Sequence, residues 1–351
     1  MSCLGLDIGG ANLKAAHSQG WARSLPFALW RDPQGLSAAL RRTISDAPPW
    51  ELLAVTMTGE LCDCFESKAR GVEHIFAAVC EIAPASRVQV YLTNGEFASL
   101  DEALSDPLLA AASNWRALAE FACRYFDGRS GLLIDVGSTT TDIIPIVSGV
   151  VAARGTCDTE RLACGELVYS GISRTPVCAV VHLLPWRGEF CPVAAELFAT
   201  TADAYVLLRQ IPEDATATWT ADGRPLMYES SRQRLARQIC TDASTLADDD
   251  FIHMAEFVRG AQLSQMKDAV AGVVESMDQS PQVIVVSGAG EFLIVENVLL
   301  TEVRLPRLTL SEVLGFDLTK CAPAYAVAAL AEGFFFQKCQ PPKISKGRRT
   351  R

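Results

Sequence analysis

The chain has 351 residues, 49% of them hydrophobic and 21% charged, which suits two domains of ordinary size with substantial cores. A net charge of -10 excludes a nucleic-acid surface except where basic residues cluster, and they cluster only in the closing "PPKISKGRRTR". No run approaches the roughly 20 apolar residues of a membrane span, and the start "MSCLGLDIGG" lacks a basic region and a cleavage site, so a cytoplasmic protein with no membrane or nucleic-acid partner is expected.

In chain order, residues 3–8 and 12–17 read as two short strands around a Gly-Gly turn, a hairpin. "DPQGLSAALRRTIS" supplies a helix whose first turn follows Asp32 and Pro33. "LLAVTMTGE" and "RVQVYLTNGEF" read as strands, and "ALSDPLLAAASNWRALAEFACRYF" as helix in two pieces. A second hairpin, "GLLIDVGSTTTDIIPI" at 131–146, is followed by a third strand in "GVVAARG". From about 157 to 250 the pattern loosens. A helix in "EFVRGAQLSQMKDAVAGVVESM" puts Val270, Val274 and Met277 on one face. "QVIVVSGAGEFLIVENVL" reads as strand, glycine turn, helix, and "APAYAVAALAEGFFF" as a last helix with Pro323 in its first turn. This alternation predicts an α/β fold. The expected division is 1–127, 128–338 with a substrate insertion at about 157–250, and a solvated, disordered basic tail at 339–351. Contact of that tail with RNA or an anionic membrane is the other reading of its charge. The twelve cysteines are scattered, with Cys62 and Cys64 the closest pair, and the four histidines show no ligand spacing. Reduced thiols are expected, rather than zinc or disulfides.

A strand, an aspartate, a glycine turn and a second strand thus open each half, at Asp7 and again at Asp135. A tight hairpin of glycine and small hydroxyl residues leaves backbone N–H groups without strand partners, and such a concavity binds phosphate oxygens. A carboxylate just before the turn can hold Mg²⁺, which prefers oxygen ligands. Two such hairpins facing across a cleft would clamp a di- or triphosphate, giving Ser138, Thr139, Thr140 and Thr141 a phosphate to bind. Read singly, each stretch is an ordinary loop; the repetition favours function. A third glycine turn, at Gly288 and Gly290, ends a buried strand where a nucleotide or the remainder of a substrate would lie.

These three pieces resemble the actin-like ATPase superfamily, which includes sugar kinases and actin. "LDIGGANLKAA" matches its first phosphate motif, "IDVGSTTTDI" the second and "VVSGAGE" the adenosine motif. The resemblance implies a two-lobed, ribonuclease H-like fold with a central cleft. "DVGSTTTD" is most similar to the hydantoinase and acetone carboxylase branch. Longer phrases, among them "VTMTGELCDCFESKARGVEHI", "AASNWRALA", "GELVYSGISRTPV" and "AELFATTADAY", resemble the one-carbon pathway family tied to tetrahydromethanopterin and methanofuran. Its archaeal members include the furan-methanamine synthase of methanofuran biosynthesis. The likeness covers nearly the whole chain except the tail.

That resemblance implies a transferase joining an aminomethylfuran-methyl diphosphate to the phenol oxygen of a γ-glutamyltyramine-like acceptor, with release of diphosphate. It implies that Asp7 and Asp135 position Mg²⁺, and that Gly9, Gly10, Asn12, Gly137, Ser138, Thr139 and Thr140 bind phosphate. Lys14 would add positive charge, and Gly288, Gly290 and Glu291 would belong to the third motif. Asp142 is a candidate base for the phenol, or else it braces the hairpin. Thr58, Glu60 and Asp63 are candidate substrate contacts, Glu60 and Asp63 being a second carboxylate pair that shares a face if the stretch is helical; solvated surface charge is the other reading of the pair. Lys68 and Arg174 are candidate contacts for a glutamyl carboxylate, and Asn114 either binds substrate or caps a helix. The rival readings are an ATP-dependent kinase or hydantoinase-like ATPase, using the same motifs for nucleotide, and a non-enzymatic nucleotide switch.

Overall fold

The computed structural model describes residues 2–217, 219–296 and 305–336, so the expected basic tail lies outside the described residues. The chain divides into two compact units. One holds the residues up to Phe121 together with the described residues from Cys321, and the other is Ala122–Lys320.

The first unit is built on a six-stranded sheet of β1 (Cys3–Ile8), β2 (Asn12–His17), β3 (Ala22–Pro26), β4 (Leu52–Met57), β5 (Val88–Tyr91) and β6 (Phe97–Ala98), in the order β3-β2-β1-β4-β5-β6. The first three strands form an antiparallel meander, and β4 and β5 continue from β1 in parallel. Side chains alternate across a strand. Leu4, Leu6 and Ile8 therefore join Leu53, Val55 and Met57 in a core with the helices Leu36–Thr43 and Lys68–Cys80. Cys3 and Ala54 meet Val327, Ala328 and Ala331 on the other face.

The helix Ala322–Phe336 is thus part of the first unit, whereas chain order had suggested the second half up to residue 338. Its approach depends on Gly5, where a methyl group would lie 1.9 Å from the Ala324 carbonyl oxygen. The stretch expected as helix in two pieces is in three, Leu100–Ser105, Pro107–Ala110 and Asn114–Ala122. Asp106, held non-helical before Pro107, makes the first break, and Ala112, at φ 50°, lies in the second.

The second unit repeats the plan with β7 (Gly131–Val136), β8 (Thr141–Val147), β9 (Val150–Val151) and β10 (Leu167–Val168), then β13 (Val283–Ser287) and β14 (Arg307–Thr309). Its order is β10-β8-β7-β13-β14, with β9 on β8. Again the opening hairpin is antiparallel and the later strands run parallel to its first member. Leu132, Ile134 and Val136 pack with Met266, Val270 and Val273 of the 28-residue helix Asp248–Glu275. The loosely patterned segment folds around its own core, in which Leu184, Leu207, Leu235 and Phe251 meet. It also carries a hairpin, β11 (Leu183–Trp186) and β12 (Glu189–Pro192), whose two turn residues both have positive φ. Among the described residues no helix is long and apolar enough to cross a membrane.

Candidate active site

The two expected hairpins have the same geometry. Asp7 pairs with Lys14 across β1 and β2, as Asp135 pairs with Asp142 across β7 and β8. Each turn closes on one hydrogen bond, from Gly9 N–H to the Asn12 carbonyl at 3.1 Å and from Gly137 N–H to the Thr140 carbonyl at 2.8 Å. The N–H groups of Gly10, Ala11, Ser138 and Thr139 donate to no acceptor among the described residues, nor do the half-exposed hydroxyls of Ser138, Thr139 and Thr140. Donors left in this way at the mouth of a tight turn are the elements of an oxyanion-binding nest.

Around the first turn the ends of β1 and β4 bring several groups together. A methyl on Gly9 would lie 2.9 Å from the Asn12 carbonyl and 3.5 Å from the Thr58 hydroxyl, and one on Gly10 would lie 2.8 Å from Cys62 Sγ. Asp7 is 3% exposed, with the Lys14 ammonium 3.6 Å from its carboxylate, so Lys14 neutralises Asp7 as well as adding positive charge. Thr56, opposite Asp7 in the parallel register, hydrogen-bonds Ser113 at 2.8 Å. Asn114 is the first residue of the helix Asn114–Ala122, and its Oδ1 accepts the N–H of the next residue, Trp115, at 2.8 Å, which is not the i+2 or i+3 bond of an N-cap.

Glu60 and Asp63 do not share a helical face. The helical part is a single 3₁₀ turn, Gly59–Leu61, with Glu60 1% exposed and Asp63 out in solvent. Glu60 packs its backbone on Gly71, where a methyl would meet its carbonyl oxygen at 2.4 Å. Lys68 is the first residue of that same helix, Lys68–Cys80.

The second turn is gripped by the segment Ser170–Thr175, of which only Arg174 was anticipated. Ile172 N–H donates to the Gly137 carbonyl at 3.1 Å, and the N–H groups of Ser173 and Arg174 both donate to the Ser138 carbonyl at 3.0 Å. Contact is closest at Gly171, where a methyl would lie 2.5 Å from the Thr139 nitrogen. The Thr141 hydroxyl donates to the Ser170 carbonyl at 2.8 Å, so of the four hydroxyls this one serves the fold. Asp135 lies half-buried beside Ser287, its register partner on β13. Gly288, at φ 93°, brings the third turn so close that a methyl there would lie 2.3 Å from the Val136 carbonyl and 2.8 Å from Asp135 Oδ1. Gly290 packs in the same way against Val136 and Ile172. These glycines hold the third turn on the end of β7.

Two carboxylates of this region are committed within the fold. Asp142 accepts the buried Arg161 guanidinium at 2.8 Å; burial pushes its carboxyl up, with Arg161 the main opposing influence. The brace reading of Asp142 therefore has an observed partner, Arg161 rather than the turn hydroxyls. Glu291 Oε1 accepts the Ser311 N–H at 3.2 Å, and burial pushes this carboxyl above its ordinary value.

A Mg²⁺ ion suits the donors at the second turn, which are all hard oxygens: the Asp135 carboxylate and neighbouring hydroxyls. No group of three or more His, Cys, Asp or Glu that could hold a metal occurs among the described residues.

A sheet that starts as an antiparallel hairpin and continues in parallel, present twice, is the ribonuclease H-like arrangement of the actin-like ATPase fold. The hydantoinase/oxoprolinase family model matches residues 51–332, and the chain belongs to that family. Two curated relatives are both named (4-{4-[2-(gamma-L-glutamylamino)ethyl]phenoxymethyl}furan-2-yl)methanamine synthase. The one from Methanocaldococcus jannaschii is 34% identical over 332 residues, 94% of this chain and 97% of the relative. The one from Methanococcus vannielii is 31% identical over 214 residues, 60% of this chain and 95% of the relative. Among solved structures, nucleotide-free acetone carboxylase shares the fold at a TM-score of 0.56 and 11% identity, covering 93% of this chain and 70% of that one.

Proposed function

We propose that this chain is an enzyme of the same activity, a synthase that forms the phenoxymethylfuran ether. The observation that carries the reading is the 34% identity to the Methanocaldococcus jannaschii synthase across nearly the full length of both chains. The acceptor is an aminoethylphenol carrying a γ-glutamyl group, and the donor is an aminomethylfuran whose exocyclic methylene bears a diphosphate. The phenol oxygen bonds to that methylene, the methylene–oxygen bond to diphosphate breaks, and the phenol proton is lost.

The residues of the second turn fit the departure of diphosphate. N–H and hydroxyl donors already set by the fold stabilise charge where it develops, without reorganising during the reaction. Ser138, Thr139 and Thr140 supply those donors, and the peptide groups of Ser173 and Arg174 fix the turn that carries them. Mg²⁺ held at Asp135 would neutralise charge on the departing oxygens. A free phenol has a pKa near 10. A furan stabilises positive charge on its exocyclic carbon, however, and such a carbon accepts a neutral phenol that loses its proton as the bond forms. A strong base is then not required, which agrees with Asp142 being occupied by Arg161.

Asp135→Asn keeps size and most hydrogen bonding but removes the charge that attracts a cation. Turnover with the furan diphosphate and γ-glutamyltyramine, ATP omitted, is expected to fall on the order of a hundredfold. Its Mg²⁺ dependence should shift while the circular dichroism stays that of the parent chain. Full activity with unchanged Mg²⁺ dependence would remove Asp135 from the site, and absence of ether from the parent chain would overturn the proposed reaction.

A further inference from the structure

The grip on the second turn is itself held from behind by a side chain that no motif contains. Gln262, in the middle of the helix Asp248–Glu275, is fully buried. Its Nε2 donates to Ser170 Oγ at 2.8 Å and to the Gly171 carbonyl at 2.9 Å. Its Oε1 accepts the Tyr205 hydroxyl, which fixes the amide so that the NH₂ group faces the Ser170–Thr175 segment. Thr201 Oγ1, on the same helix as Tyr205, donates to the Gly171 carbonyl as well, at 2.8 Å. Gly171 is the residue whose α-carbon lies on the backbone of Ser138 and Thr139, and the next residues donate to the Gly137 and Ser138 carbonyls.

We infer that Gln262, oriented by Tyr205, is a positioning residue that locks Ser170–Thr175 onto the second turn and so presets its diphosphate-binding donors. A buried amide satisfied on both ends is a rigid connector, because any movement of the segment leaves polar groups unpaired in a dry interior. Fixing the turn before substrate arrives keeps its donors on the developing charge, so the benefit falls on the transition state and on diphosphate, and the phenolic acceptor does not share it. The functional half of this inference rests on the proposed reaction, whereas the mechanical half does not.

The test compares Gln262→Leu and the gentler Tyr205→Phe with Ser130→Ala in the full chain. Ser130 is also buried in the second unit, and its hydroxyl makes hydrogen bonds to Gln279 and from Ser148 N–H, but it precedes β7 at the end remote from the turn. Hydrogen exchange at the Ser173 and Arg174 amides is expected to quicken at least about tenfold in Gln262→Leu, less in Tyr205→Phe, and not in Ser130→Ala. Calorimetry with inorganic diphosphate should show the same ranking, with affinity about tenfold weaker in Gln262→Leu. In turnover, kcat should fall while KM for γ-glutamyltyramine stays within about twofold. If Gln262→Leu does not fold, Tyr205→Phe carries the comparison. Exchange at Ser173 and Arg174 unchanged in the brace variants, or equally quickened by Ser130→Ala, overturns the inference. Should the parent chain fail to bind diphosphate, the proposed reaction and the functional half of this inference fall together, and exchange still decides the mechanical half.

Discussion

The Arg161 guanidinium meets Asp142 where both side chains are shielded from water, and the same guanidinium donates to the Glu166 carbonyl at 3.0 Å. Removing one partner of a buried pair strands the other, so Arg161→Ala is expected to lower stability by about 3–5 kcal/mol in urea denaturation. A loss within the range of exposed pairs, under about 1 kcal/mol, would show that the pair is solvated. Glu291 offers a pH test. Burial raises its carboxyl above the ordinary 4.5 despite the Ser311 N–H, so the folded chain holds this proton more tightly than the unfolded chain does. Its contribution to stability is therefore full below about 4.5 and is lost as pH rises through the raised value. Stability of the parent relative to Glu291→Gln, from urea midpoints across this range, should decline with rising pH; an increase would contradict the assignment. At this scale the donors were legible in the sequence, because aspartate, glycine and clustered hydroxyls state their chemistry locally. Their partners were not. Arg161 lies 19 residues from Asp142 and Gln262 lies 91 from Gly171, and nothing in a local pattern links them.

Glycines decide how elements meet. A methyl on Gly5 would strike the Ala324 backbone carbonyl, which cannot turn aside as a flexible side chain would, so the final helix must shift as a body. Gly5→Ala should destabilise the first unit by about 1–3 kcal/mol or more. Gly260, inside the helix Asp248–Glu275, has open space where a methyl would go, and Gly260→Ala is expected to stabilise by about 0.5–1 kcal/mol. Urea unfolding of both variants checks the pair, and a neutral Gly5→Ala would mean that the helix is not seated as described. The strands and hairpins were readable because alternation and turn residues are local signals, and β1 and β2 fall where the pattern put them. The final helix was placed in the wrong half because "AYAVAALAEGFFF" is apolar on most sides and points to no partner. The segment from 157 to 250 looked loose because its elements are short, although its core residues are deeply buried.

Across the whole chain one hairpin design occurs twice with different charges. At equivalent register the first copy sets Lys14 opposite Asp7, while the second sets Asp142 opposite Asp135 and balances it with Arg161. The α/β class and the repeated hairpin were legible because the motif returns at the head of each half. The motif does not say whether the phosphate belongs to a nucleotide or to a leaving group; the proposal of a leaving group rests on the likeness to the synthases. The most direct test follows the oxygen. A γ-glutamyltyramine labelled with ¹⁸O in its phenol is incubated with the furan diphosphate, Mg²⁺ and the chain, without ATP, and both products are weighed by mass spectrometry. Attack of the phenol on the furan methylene places all the label in the ether and none in the released diphosphate. Label appearing in a phosphate, or ether forming only when ATP is added, would contradict the account.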